Sequence, residues 1–548
     1  MIELNTNGYG EWTKEELVNE IRKLKKRKKY GIVWEDKPEV VSELCKSHLP
    51  ILVGDKYREI ISNKQSKYSN ILIEGDNYHA LSVLNYTHRG RIDVIYIDPP
   101  YNTGNAKEWK YNDRYVAIED AYRHSKWLSF MKKRLNLAKN LLSETGIMYI
   151  SIDENEFAQL KLLCDQIFGE SNFIANFIRK KKSTSTNVRG VQVSSQADYV
   201  LCYGRTTRSK LNARVFSKEG RNYPFHDESG AYRTAVIEKK NSGGYKRDTM
   251  RFKILGQFPR EGKRWQIGED TARTLEEMNR FIIDNGMIKR KIYEFEDTDT
   301  FSAQPTILED YGSTDSAQRV LDEILGEKGV FENPKPLELI RHLIEISEKT
   351  KETLVLDFFA GSGTTGHAVL EMNRSDGGNR SFILCTNNED NNETGKKIAT
   401  DICFPRLKNV MKGYKDKEGQ EVDGLGGNLR YFNTDFVDAT PTDINKKNLV
   451  ERSTDMLCLK ENCFNPISKD EYYTIFSGNH GKHLCIIYDD DGIPQCKDMI
   501  KKFGILTAVY IFTLDEGDKN DEFIDIQDLV EIKPIPASIL NIYRRIFK

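Results

Sequence analysis

The sequence predicts an α/β protein built on a doubly wound, mostly parallel sheet. Short apolar strands alternate with segments of helical periodicity, the pattern that places helices on both faces of parallel strands. Two of those strands run into tight turns, at Asp98 and at Asp357, and such sheets bind ligands at the carboxyl ends of their strands. A polar stretch without sustained periodicity separates the strand and helix patterns into two halves.

The elements follow in order. Residues 1–69 read as a charged N-terminal arm. Its densest basic run, 22–29, follows a helical pattern through Leu17 and Ile21, and a solvated helix end explains it as well as a phosphate contact does. A first half, 70–204, holds the apolar strand Ile92–Ile97 and an amphipathic helix marked by Trp127, Phe130, Met131, Leu135, Leu137, Leu141 and Leu142. The strand 147–152 comes next, then a helix expected from Asp153, with Asp153 and Glu156 as an acidic first turn. The insertion spans 205–330. The second half, 331–438, carries a helix through Leu339, Leu343 and Ile346, a strand ending at Asp357 and another at 381–385. Strand-like runs at 483–488 and 506–512 make 439–548 a small C-terminal α/β domain.

Composition narrows the class. A chain of 548 residues is long enough for several domains with ample core. Lys plus Arg number 82 against 83 Asp plus Glu, so the net charge carries no nucleic-acid signal, although a local basic face is all a DNA binder needs. Nine scattered cysteines, no secretory signal and no long apolar run point to the reduced cytoplasm and away from a membrane.

Chemistry concentrates at the two turns. Asp98-Pro99-Pro100-Tyr101 offers a carboxylate, backbone carbonyls and an aromatic face. An exocyclic amine on a base is a poor nucleophile, because its lone pair is delocalised into the ring. Hydrogen bonds from its protons to fixed acceptors favour a tetrahedral nitrogen that can attack an activated methyl. Asp98 supplies one acceptor. Pro99 and Pro100 have no competing N–H, and Pro99, preceding a proline, is held extended, so the loop presents its carbonyl as a second acceptor. Tyr101 can stack on a base drawn out of the duplex.

The second turn, Gly361-Ser-Gly363-Thr364-Thr-Gly366, formally matches a dinucleotide fingerprint, with Glu389 or Asp390 at the expected distance. Asp357 argues against that reading, because a carboxylate before the turn would repel a pyrophosphate. It suits instead the cationic amino group of S-adenosylmethionine, with Glu389 placed to hold ribose hydroxyls.

At these residues the chain resembles the amino-methylating DNA methyltransferases. Tyr-Ile-Asp-Pro-Pro-Tyr-Asn-Thr-Gly-Asn at 96–105 is similar to their catalytic motif. Its position before the cofactor motif at 357–363 resembles the β order, a circular permutation, and so implies a circularly permuted, Rossmann-like methyltransferase sheet. With Phe331-Glu-Asn-Pro-Lys-Pro336 and Gly426-Gly-Asn-Leu-Arg-Tyr-Phe432, the chain is similar to the modification subunit of type III restriction-modification systems. That resemblance implies that Asp98, Pro99, Pro100 and Tyr101 are catalytic. It also implies cofactor contacts from Asp76, Asn77, Asp98, Lys335, Asp357, Phe359, Gly361, Gly363, Thr364 and Glu389. Homodimerisation and docking of a restriction subunit through 439–548 follow from the same resemblance.

The insertion interleaves basic and aromatic residues: Tyr245, Lys246, Arg247, Arg251, Phe252, Lys253, Arg260, Lys263, Arg264 and Trp265. Its position matches the family's target-recognition region, and Arg247, Arg251, Lys263 and Arg264 are the expected contacts to double-stranded DNA. No metal is expected. Cys458, Cys463, His480, His483 and Cys485 lack the short paired spacing of a structural zinc site. Asp528, Glu531 and Lys533 are better read as a strand ending before Pro534 than as a nuclease cluster. No phosphate-binding loop of the Gly-x-x-x-x-Gly-Lys-Ser/Thr type occurs; the nearest fragment, at 393–397, lacks its leading glycine and its hydroxyl residue. The family's usual cytosine-N4 motif begins with Ser, so the resemblance with Asp98 in that place makes adenine-N6 methylation the leading expectation. The alternatives are a solitary enzyme of the same class, a cytosine-N4 enzyme, and an inactive DNA-binding specificity protein.

Overall fold

A computed structural model describes residues 13–19, 32–62, 69–104, 109–111, 114–181, 192–390, 394–478, 481–513 and 519–547. The basic run at 22–29, Asn105, Glu393, His480 and the side chain of Tyr245 lie outside the described residues.

The main sheet contains β1 (His48–Gly54), β2 (Asn70–Glu74), β3 (Ile92–Ile97), β4 (Leu142–Ile152), β5 (Phe173–Lys180) and β6 (Ala197–Gly204) from the first part of the chain. From the second part it takes β7 (Leu354–Asp357), β8 (Ser381–Thr386) and β9 (Asn428–Asp438). Their spatial order is β1-β9-β2-β8-β7-β3-β4-β6-β5. From β9 through β4 every neighbouring pair is parallel. The flanking pairs, β1 with β9, β4 with β6 and β6 with β5, are antiparallel. The expected mostly parallel sheet is thus present, its core assembled alternately from the two halves of the chain.

Alternation along each strand fills both faces. Ile92, Ile95 and Ile97 join one buried cluster, with Leu81 and Leu84 of α1 (Asn77–Thr87) and Met131 and Leu135 of α2 (Arg123–Leu141). α3 (Phe157–Phe168) adds Leu160 and Leu163 to that side. Val94 and Tyr96 join the other cluster with Leu339 and Leu343 of α4 (Leu337–Glu345), Val369 of α5 (Thr364–Asp376) and Leu407 of α6 (Phe404–Lys412). One expectation fails locally, since α3 begins at Phe157 and not at Asp153. The Asp153 carboxylate instead accepts hydrogen bonds from the backbone N–H and the side-chain amide of Asn155, at 2.9 and 2.8 Å, closing a turn ahead of the helix.

The C-terminal segment forms a five-stranded sheet in the order Cys463–Lys469, Tyr473–Gly478, His483–Ile487, Thr507–Phe512, Val530–Ile535. Helix α8 (Ile493–Phe503) packs on one face through Cys496 and Ile500, and α7 (Thr454–Glu461) and α9 (Ala537–Ile546) contribute to the other. That other face shares the main core: Tyr510, Ile535, Ile539 and Tyr543 belong to the same buried cluster as Leu49, Ile51 and Leu81. The Tyr543 hydroxyl donates to the Pro50 carbonyl at 2.5 Å.

Residues Ala213–Gln304 form a separate compact unit, whereas the sequence pattern set the insertion at 205–330. Its four-stranded antiparallel sheet runs Phe225–Asp227, Gly230–Val236, Met287–Tyr293, Phe281–Asp284, beside a small core of Ile237, Phe252, Ile254, Trp265, Phe281 and Ile288. Among the described residues no helix is long and apolar enough to cross a membrane.

Because 439–548 completes the main core, a chain ending at Asp438 should not fold as a monomer. Loss of Ile539 and Tyr543 uncovers α1 and β1, and size exclusion with thermal circular dichroism should find aggregation or a broad, non-cooperative transition. A soluble monomer with an unchanged midpoint would contradict the shared core.

Candidate active site

Four strand ends meet along one edge of the sheet. Thr386 of β8 pairs with Glu74 of β2, Leu384 with Asp357 of β7, and Leu356 with Ile95 of β3. The turns that follow these strands, at Asp76, at Asn387-Asn388, at Phe358–Gly363 and at Asp98, are therefore neighbours.

The first turn is held from several sides. Asp98 Oδ1 accepts from the Tyr101 hydroxyl at 2.8 Å, and Oδ2 accepts from the Lys335 ammonium at 2.7 Å. Burial, followed by the Asp98 charge, keeps the Tyr101 phenol protonated far above its ordinary range. The indole N–H of Trp127 donates to the Pro100 carbonyl at 2.7 Å, whereas the Pro99 carbonyl accepts no hydrogen bond among the described residues. Asn102 takes a left-handed conformation (φ 59°), and its amide donates to Glu156 Oε1 at 2.5 Å. His124 Nδ1 lies 2.6 Å from the same oxygen. Glu156 is fully buried and its Oε2 has no partner among the described residues; burial raises its carboxyl above the usual range.

The glycine turn is built as tightly. Asp357 Oδ1 accepts from the Phe359 N–H at 3.0 Å, and Oδ2 from the Thr365 hydroxyl at 2.6 Å. Burial pushes this carboxyl up to about 7; its two hydrogen bonds oppose the shift and the nearby Asp98 charge adds to it. Gly361 and Gly363 have φ values of 49° and 81°, and a Cβ would come 3.0 Å from the Phe331 ring and from Cys403 Sγ, respectively. Thr364 faces inward, its hydroxyl accepting from Arg406 at 2.8 Å. Arg406 is buried, and among the described residues no carboxylate forms an ion pair with it. It also holds the Ser362 hydroxyl and the His367 ring, and burial lowers it to about 10.

At β2, Asp76 caps α1 by accepting from the Tyr78 N–H at 2.7 Å. Asn77 spans the gap to the glycine turn, its amide donating to the Phe358 carbonyl at 2.9 Å. Arg134, wholly buried on the apolar face of α2, grips Asn77, Asp76 and Glu39. Burial opposes its charge, and the Asp76 and Glu39 carboxylates more than offset that. Its guanidinium lies 3.7 Å from the Phe130 ring centre, which in turn lies 5.9 Å from Phe359 and 5.5 Å from Trp109.

The structure thus gathers Asp76, Asn77, Asp98, Pro99, Pro100, Tyr101, Lys335, Asp357, Phe359, Gly361, Gly363 and Thr364. Lys335 lies on the Asp98 carboxylate. Glu389 is exposed beyond β8; it is Asn388 that turns inward, donating to Glu74 Oε1 at 2.8 Å. Sequence reasoning missed Arg134, Trp127 as a clamp on Pro100, Asn102 with Glu156, and Arg406. Arg134 left a trace as a lone charge within the apolar stripe of its helix, and Asn102 as an Asn-Thr-Gly following two prolines.

In the separate unit, Arg247 is exposed and Lys263 half-exposed. Arg251 donates to the Lys263 carbonyl and Arg264 to that of Trp265, so both guanidinia brace the unit's own backbone. Phe252 and Trp265, named on sequence among the aromatics interleaved with basic residues, are core residues. Their rings close the small core, and the Trp265 N–H is bonded to the Phe252 carbonyl at 2.8 Å.

Comparison with known proteins gives a consistent picture. Residues 92–397 match a family model described as DNA methylase. The type III restriction-modification enzyme StyLTI Mod subunit of Salmonella typhimurium LT2 is 33% identical over 407 residues, covering 68% of this chain and 60% of that one. The type II methyltransferase M.KpnI of Klebsiella pneumoniae is 33% identical over 396 residues, or 66% of this chain and 92% of that one. The EcoPI Mod subunit of Escherichia phage P1 is 31% identical over 428 residues, 66% and 65% of the two chains.

Asp357 generates a prediction about stability. Its folded value of about 7 lies above the ordinary 3.8, so the folded protein holds a proton there that the unfolded chain releases. Stability from this group is present at low pH and is lost as pH rises toward 7, by up to about 1.4 kcal/mol per pH unit. Relative to Asp357→Asn, the parent protein should lose unfolding free energy between pH 5 and 7 and level off above about 8. Urea titrations measure this, and a pH-independent difference would show the carboxylate charged throughout.

Proposed function

The chain belongs to the DNA methylase family, and from that premise we propose that it transfers a methyl group from S-adenosylmethionine to N6 of an adenine flipped out of double-stranded DNA. In this reading it is the modification and specificity subunit of a type III restriction-modification system. It works in the cytoplasm as a homodimer, and a separate restriction subunit supplies the motor and nuclease. The observation that carries the reading is the adjacency of the Asp98 turn and the Asp357–glycine turn on neighbouring parallel strands.

The residues present fit the cofactor. Gly361 and Gly363 keep the turn free of side chains, Phe359 offers an aromatic face, and Asp76 and Asn77 bring polar groups to the next strand end but one. When bound, S-adenosylmethionine supplies a methyl on a cationic sulfonium, an activated donor that needs neither ATP nor a metal. Asp98 accepts one proton of the target amine in a hydrogen bond, and the Pro99 carbonyl would accept the other, the neighbouring Pro100 carbonyl being taken by Trp127. Once the bound donor has supplied its methyl, Asp98 would be the base that takes the surplus proton of the methylated nitrogen, held in orientation by Tyr101 and Lys335. Tyr101, fixed by its bond to Asp98, presents its ring to the base.

Two comparisons support a Mod subunit, and the family's cytosine-N4 members usually begin the catalytic motif with Ser where this chain has Asp98. A second reading, methylation without a restriction partner, draws on the 92% coverage of the Klebsiella type II methyltransferase. Arg247 and Lys263 remain the proposed DNA contacts, and the bracing roles of Arg251 and Arg264 would present them.

The test uses the purified chain, S-adenosylmethionine and PCR-amplified genomic DNA, with nucleosides resolved by mass spectrometry. N6-methyladenine should form without ATP or divalent metal, and Asp98→Ala should lower the rate at least about a hundredfold while retaining cofactor binding. N4-methylcytosine would overturn the target base, and near-normal turnover by folded Asp98→Ala would overturn the mechanism.

A further inference from the structure

A lysine stands beside the Asp98 carboxylate. Lys335 places its ammonium 2.7 Å from Asp98 Oδ2, with its side chain only 11% exposed, and 4.9 Å from the centre of the Tyr101 ring. Its backbone is constrained on both sides. Pro334 precedes it, and Pro336 both holds it extended and caps α4. The same short segment begins at Phe331, whose ring lies against Gly361, so it touches the glycine turn at one end and Asp98 at the other. The Asp98 charge reaches Asp357, and among the described residues Lys335 is the cation bonded to Asp98. Among the described residues Asp357 is bonded to two neutral donors, the Phe359 N–H and the Thr365 hydroxyl.

A lysine whose backbone is pinned and whose ammonium is desolvated does two things a surface lysine does not. It fixes which way the Asp98 carboxylate turns, because Oδ2 is tied to Lys335 while Oδ1 is tied to Tyr101. It also brings a positive charge to a site that, on the reading above, must take a cationic sulfonium and release a neutral thioether. Lys335 and the sulfonium would compete for the same carboxylate field.

We propose that Lys335 is a positioning residue: it aims Asp98 at the target amine, and its fixed charge sets how strongly the site prefers the cationic methyl donor over the neutral demethylated product. The inference rests on the methyltransferase reading. It goes beyond a simple cofactor contact, because it assigns Lys335 to Asp98 and to discrimination between substrate and product.

The experiment compares the parent protein with Lys335→Met and Lys335→Arg by calorimetric titration of S-adenosylmethionine and S-adenosylhomocysteine, and by steady-state methylation of PCR-amplified genomic DNA. Lys335→Met should lower kcat about ten- to a hundredfold, with a smaller change in KM for DNA. Removing the charge should also shift the affinity ratio toward S-adenosylmethionine by about tenfold. Lys335→Arg keeps the charge and should restore the parent ratio and part of kcat. A purely structural lysine would move both affinities together and leave their ratio unchanged, which would overturn the proposal, as would parent-like kcat in Lys335→Met. Should Lys335→Met fail to fold, Lys335→Gln carries the same comparison. A parent protein that neither binds S-adenosylmethionine nor methylates DNA would defeat the methyltransferase reading itself, an outcome distinct from an unchanged ratio between active proteins.

Discussion

Every feature of the site depends on a short parallel ladder between two strands that are far apart in the chain. Val355 and Leu356 of β7 pair with Val94 and Ile95 of β3, and this pairing alone sets the height of Asp357 relative to Asp98. Strand pairing has a period of two residues, so a slip of one would turn Val94 and Tyr96 toward the wrong apolar cluster and swing Asp98 away from the glycine turn. The two-sided core enforces the register. Packing and chemistry are in this sense one constraint, since the residues that make the strands fully buried also fix where their polar ends emerge.

Much of this was legible in the sequence. The apolar strand Ile92–Ile97 and the helix pattern from Trp127 to Leu141 emerged with nearly the bounds expected, because continuous apolar runs and a strong 3.6-residue period leave few alternatives. The motif residues were visible for a different reason: proline pairs and glycine turns restrict the backbone so severely that they imply a purpose. What stayed hidden depends on long-range partners. Nothing in the local sequence says that Arg134 reaches Asp76, or that Lys335 reaches Asp98, across 237 positions. The expected helix start at Asp153 failed because the Asn155 amide offered that carboxylate a closer bargain than the helix end did. The C-terminal strands were visible, but their sharing of the main core was not, because periodicity identifies an apolar face and does not say what covers it.

The site is also unusual in how much charge it keeps from water. Arg134, Arg406, Glu156 and Asp357 are all buried, and each is tied to a turn that carries a motif residue. Buried ionisable groups are costly to move once they are hydrogen-bonded, so the bonds of Arg134, Arg406 and Asp357 resist rearrangement. A loop clamped by such groups cannot drift by the fraction of an ångström that would misalign an acceptor. Preorganisation here comes from burying polar groups behind the loops, and not from stiff loop sequences alone.

The compact unit Ala213–Gln304 is one contiguous stretch of chain with its own small core of Phe252, Trp265, Phe281 and Ile288. The strand ladder and the buried charges all belong to the other unit. Substitutions or exchanges confined to that stretch therefore leave the ladder, the two turns and their buried braces in place.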